Sequence, residues 1–348
     1  MFDKLKTFFR THIFISVGAV TVLILAVLII FTLANLNNEA SGGGKIPPPG
    51  IASPADTAAA AVDDGIEFLR KQDYDNFALR IKNLKDVNAM NQKGQTLMDA
   101  AVYFGVIDAA NILIYKGADV NLANPNTGET PLMTALRANN DKMIEFLIAA
   151  GANLNAVSAR GATPLLIAVA NKNDVWIDRL ISRGSTAGAS GENLLTFVSG
   201  RNAEGVSAML RSGVSPNIKN SGGYAPLFMA AAVGDLPNVK LLASYKADLD
   251  APAPDGSTAL IASARYRHAD ALEFLLNKGA NVNARDNKGA TALYWAAVNN
   301  MVKSIDQLLV MKADASLKPR GGLTPFQTAQ QYKYVAALSV FQKYNVTR

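Results

Sequence analysis

The sequence predicts an all-α solenoid of helix-turn-helix units with short hairpin loops, preceded by one N-terminal transmembrane helix. Three observations predict it. A glycine recurs at Gly94, Gly128, Gly161, Gly191, Gly223, Gly256, Gly289 and Gly322, in steps of 34, 33, 30, 32, 33, 33 and 33 residues. A large apolar residue (Leu113, Leu147, Leu180, Leu210, Leu242, Leu275, Leu308, Phe341) follows the same steps, so two landmarks stay in register along the array. Self-similarity at such a period marks stacked supersecondary units that bury a continuous core only together. Third, residues 11–38 contain no Lys, Arg, Asp or Glu.

The uncharged stretch comes first in the chain. Ile13 to Ala34 is 22 residues, about 33 Å of helix against a hydrocarbon core of roughly 30 Å. Residues 13–36 are therefore assigned to a transmembrane helix. A cleaved signal peptide is the alternative, with Thr32-Leu33-Ala34 as a weak cleavage site, but its apolar region normally runs about 7–15 residues. Lys4, Lys6 and Arg10 precede the span, whereas only Glu39 and Lys45 fall just after it. The positive side stays in the cytoplasm, so residues 1–12 form a short cytoplasmic tail and the repeats lie beyond the membrane. The expectation is a single-pass protein of a cell inner membrane with a periplasmic repeat domain. The span holds only Gly18 and no GxxxG pair, so it carries no strong signal for helix dimerisation. Residues 37–55, with Gly42-Gly43-Gly44 and Pro47-Pro48-Pro49, read as a linker. Gly42-Gly43-Gly44-Lys45 lacks the GxxxxGK[ST] spacing and a preceding strand, so it is not a phosphate loop.

The units then follow in order. Residues 56–91 read as a diverged capping helix pair that closes on Lys85-Asp86-Val87-Asn88, in phase with Asp119-Val120-Asn121. Residues 92–320 hold the repeats. Thr130-Pro131-Leu132, Thr163-Pro164-Leu165 and Thr324-Pro325-Phe326 set a capping hydroxyl before a proline at the first helical position. Small pairs such as Ala230-Ala231, Ser263-Ala264 and Ala296-Ala297 let neighbouring helices approach closely. A second helix carries apolar residues at helical spacing, as in Ile144, Leu147 and Ile148. It stops at Lys116-Gly117, Ala150-Gly151, Arg183-Gly184 or Lys278-Gly279, where glycine supplies the left-handed exit. Residues 321–348 turn polar, as a C-terminal cap should.

A period near 33, a Thr-Pro-Leu start and an exit such as Gly279-Ala280-Asn281-Val282-Asn283 resemble the ankyrin-repeat family from about residue 56 to the end. The resemblance implies protein binding on an extended concave face. One family feature is missing: the histidine after Thr-Pro-Leu, which the resemblance implies bridges backbone between repeats, is replaced by Asp99, Met133, Leu166, Thr196, Phe228, Ile261, Tyr294 and Gln327. Residues 191–221 form the weakest unit, with Asn193 in place of Thr and no proline. It reads as a loop deletion, with a bend between two halves as the alternative.

Chemistry is poorly represented. The chain has no Cys and only His12 and His268, which excludes thiolate sites and His-rich metal sites. No nucleophile elbow or dinucleotide fingerprint occurs. Asp63-Asp64 on one helix point about 100° apart; Asp73 and Asp75 read as a cap and a solvated charge. The net charge of +6 is scattered, the pattern of a soluble surface and not of a nucleic-acid footprint. The expectation is a non-enzymatic scaffold with no cofactor or metal.

Carried over from the family, the exposed first-helix positions and hairpin tips point to Tyr103, Phe104, Arg137, Arg160, Tyr224, Arg265, Tyr266 and Arg320 as partner-binding residues, because aromatic and Arg side chains dominate binding hot spots. The partner would be another protein, held at the membrane. The alternative is a structural subunit of a self-assembled envelope complex.

Overall fold

The computed structural model describes residues 58–188 and 191–347. The tail, the expected transmembrane helix 13–36 and the linker lie outside the described residues. Among the described residues no helix is long and apolar enough to cross a membrane, and there are only helices, turns and loops.

The helices come in consecutive pairs: α1 (Ala58–Arg70) with α2 (Tyr74–Lys82), α3 (Leu97–Tyr103) with α4 (Ile107–Tyr115), and α5 (Pro131–Arg137) with α6 (Asp141–Ala149). They continue with α7 (Pro164–Ala170) and α8 (Asp174–Ser182), α9 (Glu192–Ser199) and α10 (Ala203–Arg211), and α11 (Pro226–Ala232) and α12 (Leu236–Ser244). The last pairs are α13 (Ala259–Arg265) with α14 (Ala269–Asn277), α15 (Ala292–Val298) with α16 (Val302–Val310), and α17 (Pro325–Gln331) with α18 (Val335–Lys343). A typical first helix has 7 residues and a typical second helix 9. Helices that short are unstable alone in water, so the array exists only because each pair packs on the next.

The core explains the small residues. Ala135, Ala168, Ala230, Ala264, Ala296 and Ala297 are buried on the first helices, and Leu113, Leu147, Leu180, Leu242, Leu275 and Leu308 on the second. One apolar cluster runs from Val62 to Phe341. First helices stack on first helices along most of the array, and second helices on second helices from α8 onward.

Thr163 and Thr324 cap their helices as the sequence suggests, and Thr96 with Asp99 forms a reciprocal capping box. Thr130 departs: its hydroxyl is buried without a hydrogen bond, leaving Pro131 to start α5. The second helices are capped by side chains of Asp73, Asn140, Asn173, Asn202 and Asp235. Gly117, Gly151, Gly184 and Gly279 end second helices at φ between 82° and 91°; Lys246 and Lys312 adopt the same left-handed conformation without being glycine.

The missing histidine bridges are replaced by other hydrogen bonds, a substitution that the sequence did not reveal. Asn171 Nδ2 donates to the Leu136 carbonyl at 2.7 Å, and Asn299 Nδ2 to those of Ala264 and Arg265 at 2.9 Å each. Arg201 reaches the Val233 carbonyl at 2.8 Å. His268 Nε2 lies 3.1 Å from the Ala232 carbonyl, which can only accept, so Nε2 carries the proton. At the exits, Asn88 Oδ1 accepts from Asp119 N, Asn155 Oδ1 from Thr186 N, Asn217 Oδ1 from Asp248 N and Asn283 Oδ1 from Asp314 N, all at 2.6–2.8 Å. Neighbouring hairpin tips join through Ala159 N to Thr127 O, Asn287 N to Asp255 O and Arg320 N to Lys288 O.

One junction differs. Gly188 stands where Asn155 and Asn217 sit in their own units and has no side chain to reach the next exit. First helix α7 packs against α10 instead of stacking closely on α9. Buried Leu194, Val198, Val206 and Met209 nevertheless belong to the common core, and Arg211 pairs with Asp178 at 2.7 Å.

Candidate partner-binding face

The first helices and the hairpins before them carry a series of surface positions along the array. At its N-terminal end Tyr103 is 71 % exposed and Phe104 37 %, their rings edge to face with centroids 5.2 Å apart. They border an open groove of about 440 Å³ with Ile66, Asp99 and Glu129. Burial pushes the Asp99 carboxyl above its usual value, against the hydrogen bonds from Thr96 that pull it down. Arg137 is tied to Glu129 at 2.8 Å.

The middle of the series holds a larger open groove of about 750 Å³, floored by Leu195, Ile218 and Met229 and edged by Glu192 and Lys219. It opens at the weak unit. Arg160 is exposed and has no ion pair among the described residues. Tyr224 lies on Phe228 with ring centroids 5.3 Å apart.

Toward the C-terminus the face becomes aromatic and basic. Arg265 pairs with Asp255 at 3.1 Å, and its guanidinium sits 4.8 Å from the centre of the Trp295 ring and 5.8 Å from that of Tyr266. Arg265 is thus a fixed strut between hairpin and next repeat, whereas the sequence presents it as a free hot spot. Tyr266 is 50 % exposed and Tyr332 54 %. Tyr294 and Trp295 meet edge to face at 5.5 Å, and Tyr332 stacks on Tyr334 at 5.5 Å. Burial raises the Tyr294 phenol above its usual value, and nearby Tyr332 and Asp286 add to this. Arg320 is exposed, and its backbone N–H joins the Lys288 tip.

The structure therefore groups Arg265 and Tyr266 and sets Tyr103 with Phe104 at the far end. Tyr332 and Trp295 were missed. Tyr332 was findable, because it occupies in the last unit the position of Tyr266; Trp295 lies earlier in its helix and gives no positional signal. His268 serves as an inter-repeat bridge. Asp64 pairs with Arg80 at 2.8 Å, Asp63 accepts from Asn91 at 2.8 Å, and Asp73 caps α2. Among the described residues no three His, Asp or Glu side chains gather as metal ligands.

This is a helical-repeat stack whose surface suits recognition of another macromolecule. The family model described as Ankyrin repeats (3 copies) matches residues 97–189, 194–286 and 227–320; the chain belongs to the ankyrin-repeat family. It is 28 % identical over 226 residues to SH3 and multiple ankyrin repeat domains protein 2 of Homo sapiens, covering 64 % of this chain and 11 % of that protein. It is 35 % identical over 124 residues to Neurogenic locus notch homolog protein 1 of Xenopus tropicalis, covering 35 % of this chain and 5 % of that protein. The Mus musculus counterpart is 38 % identical over 119 residues, covering 34 % and 5 % respectively. The chain thus spans no more than 11 % of the length of these relatives. Two of the family matches break between residues 189 and 194, at the altered junction.

Proposed function

We propose that the chain is a membrane-tethered scaffold that captures another protein on the concave first-helix and hairpin face of its repeats. One observation carries this reading: exposed Tyr103, Phe104, Tyr224, Tyr266 and Tyr332 all fall on first-helix ends or hairpin tips. Aromatic rings have few rotatable bonds to fix on contact and supply large apolar area. The uncharged run 11–38 and the cations before it support a tether with the repeats outside the cytoplasm, in the periplasm of a bacterial source. The protein does no chemistry in this reading.

Photo-crosslinker placed at Tyr103 or Tyr266 in native membranes tests it. Capture of one discrete protein from these positions, and none from Lys142 on α6, is expected. Capture from Lys142 alone would move the interface to the second helices. A cytoplasm-only reporter fused after Arg348 should be silent; activity there would overturn the topology. The alternative, a subunit that self-assembles within an envelope complex, would instead show the chain crosslinked to copies of itself.

A further inference from the structure

The charges on the binding face are unevenly distributed. In the first five hairpin and first-helix segments Lys93 is matched by Asp99 and Arg137 by Glu129, while Arg160 and Lys219 share the segments with one acid, Glu192. The last three segments hold Arg265, Arg285, Lys288, Lys318 and Arg320 against only Asp255 and Asp286.

Both of those acids are engaged. Asp255 pairs with Arg265, and buried Asp286 accepts the backbone N–H groups of Lys288 and Ala290 at 2.9 and 2.8 Å. Arg285 is turned onto the Gly289 and Lys318 carbonyls at 3.2 Å each. Lys288, Lys318 and Arg320 are left exposed, with no ion pair among the described residues. On the second helices Glu273 is taken by Lys303 and Asp306 by Lys343. The same segments carry Tyr266, Trp295 and Tyr332, two of them already under the Arg265 guanidinium.

Deepening the scaffold reading, on which it rests, we infer that the partner engages this C-terminal third of the face through an extended acidic polypeptide segment interleaved with apolar residues. Carboxylates meet the Lys288, Lys318 and Arg320 row, and the apolar side chains lie on Tyr266 and Tyr332. Charge complementarity of this kind steers encounter and fixes register. A flat lipid surface would contact the tips and leave the recessed Trp295 and Tyr294 rings unused.

The test uses the full chain in a mild detergent and a short fluorescent peptide alternating Glu with Leu and Pro. It should bind at least about tenfold more tightly than the same peptide with Gln for Glu, and weaken steeply with salt as exposed charges are screened. Lys288→Glu with Arg320→Glu should weaken it about tenfold or more, Tyr332→Ala severalfold, and Lys142→Glu not at all, with helical melting unchanged in each. Equal binding of the Gln peptide, or insensitivity to the double reversal, overturns the inference. So does tighter binding of phosphatidylglycerol vesicles or single-stranded DNA at the same residues. If the peptide fails while crosslinking from Tyr266 still traps a protein, only the acidic-segment inference falls; loss of both removes the scaffold reading itself.

Discussion

Replacing Gly234 by Ala probes how the array is bolted together without the family histidine. Gly234 sits at φ +69° in the turn between α11 and α12, and a Cβ there would lie 2.3 Å from His268 Nδ1 and 2.7 Å from Cε1. The ring cannot stay, and moving it breaks the Nε2–H bond to the Ala232 carbonyl. An L-residue in the left-handed region costs about 1–2 kcal/mol, from which the lost glycine entropy returns about 0.5–1. Losing the hydrogen bond adds about 1 kcal/mol, and the displaced ring adds packing loss of similar size. The total is about 2–3 kcal/mol. Gly105 is the internal control: φ is +72°, and its Cβ would meet only the Asn140 Nδ2 end at 2.8 Å. Gly105→Ala should therefore cost only about 1 kcal/mol, the backbone part of the sum. Urea unfolding by far-ultraviolet circular dichroism gives the difference, and hydrogen exchange of the α13 and α14 amides localises it. In a double-mutant cycle, His268→Ala on the Gly234→Ala background should cost almost nothing further. Equal costs at Gly234 and Gly105, or full additivity with His268→Ala, would refute the bridging role.

Three further outcomes follow from the same geometry. Lys246→Gly and Lys312→Gly relieve left-handed lysines at φ 62° and 61° and should each raise stability by about 0.5–1 kcal/mol, read as a higher urea midpoint. The Lys343 and Tyr344 hydrogen bonds hold the Asp306 carboxyl below its usual value, as Lys303 does that of Glu273. Their contribution is present above the unfolded carboxylate value of about 4 and is lost as pH falls through the folded one, so Asp306→Asn should flatten the acid side of a stability-versus-pH curve. Native-state hydrogen exchange in rising denaturant should release α1–α8 and α9–α18 amides as two blocks; a single common release would show the altered junction to be as strongly coupled as the rest.

The stack was legible in the sequence because each unit repeats the same physical demands: a capped start, small residues where helices touch, a left-handed exit. Gly117, Gly151, Gly184 and Gly279 fulfil the last demand as expected. Contacts between units were not legible, because they depend on how one unit is set against the next. Arg265 reads as a free guanidinium until Asp255, ten positions upstream, and Trp295, thirty positions downstream, converge on it. Arg137 is similarly consumed by Glu129. The lost histidine bridges looked like lost polar contacts, yet Asn171, Arg201, His268 and Asn299 supply bonds to the same kind of carbonyl from a different place. Thr130 shows the opposite: the right residue in the right motif, with no bond made.

The altered junction separates two properties that elsewhere coincide, cohesion and register. Apolar burial is non-directional, so the common core through Leu194, Val198 and Met209 holds the halves together but tolerates small rotations of one pair on the next. Directional bonds fix the rotation, and most junctions have them at tips, turns or exits. At the step from Gly188 to Ser215 there is no exit bond among the described residues and the close stacking of first helices is relaxed, while exposed Arg211–Asp178 is the kind of surface pair worth only about 0–1 kcal/mol. The 750 Å³ groove over Leu195 and Met229 lies at this same unit. The groove and the loosened register thus coincide at the unit that follows the short step from Gly161 to Gly191. They divide the face between the Tyr103–Phe104 end and the basic, aromatic end around Tyr266 and Arg320.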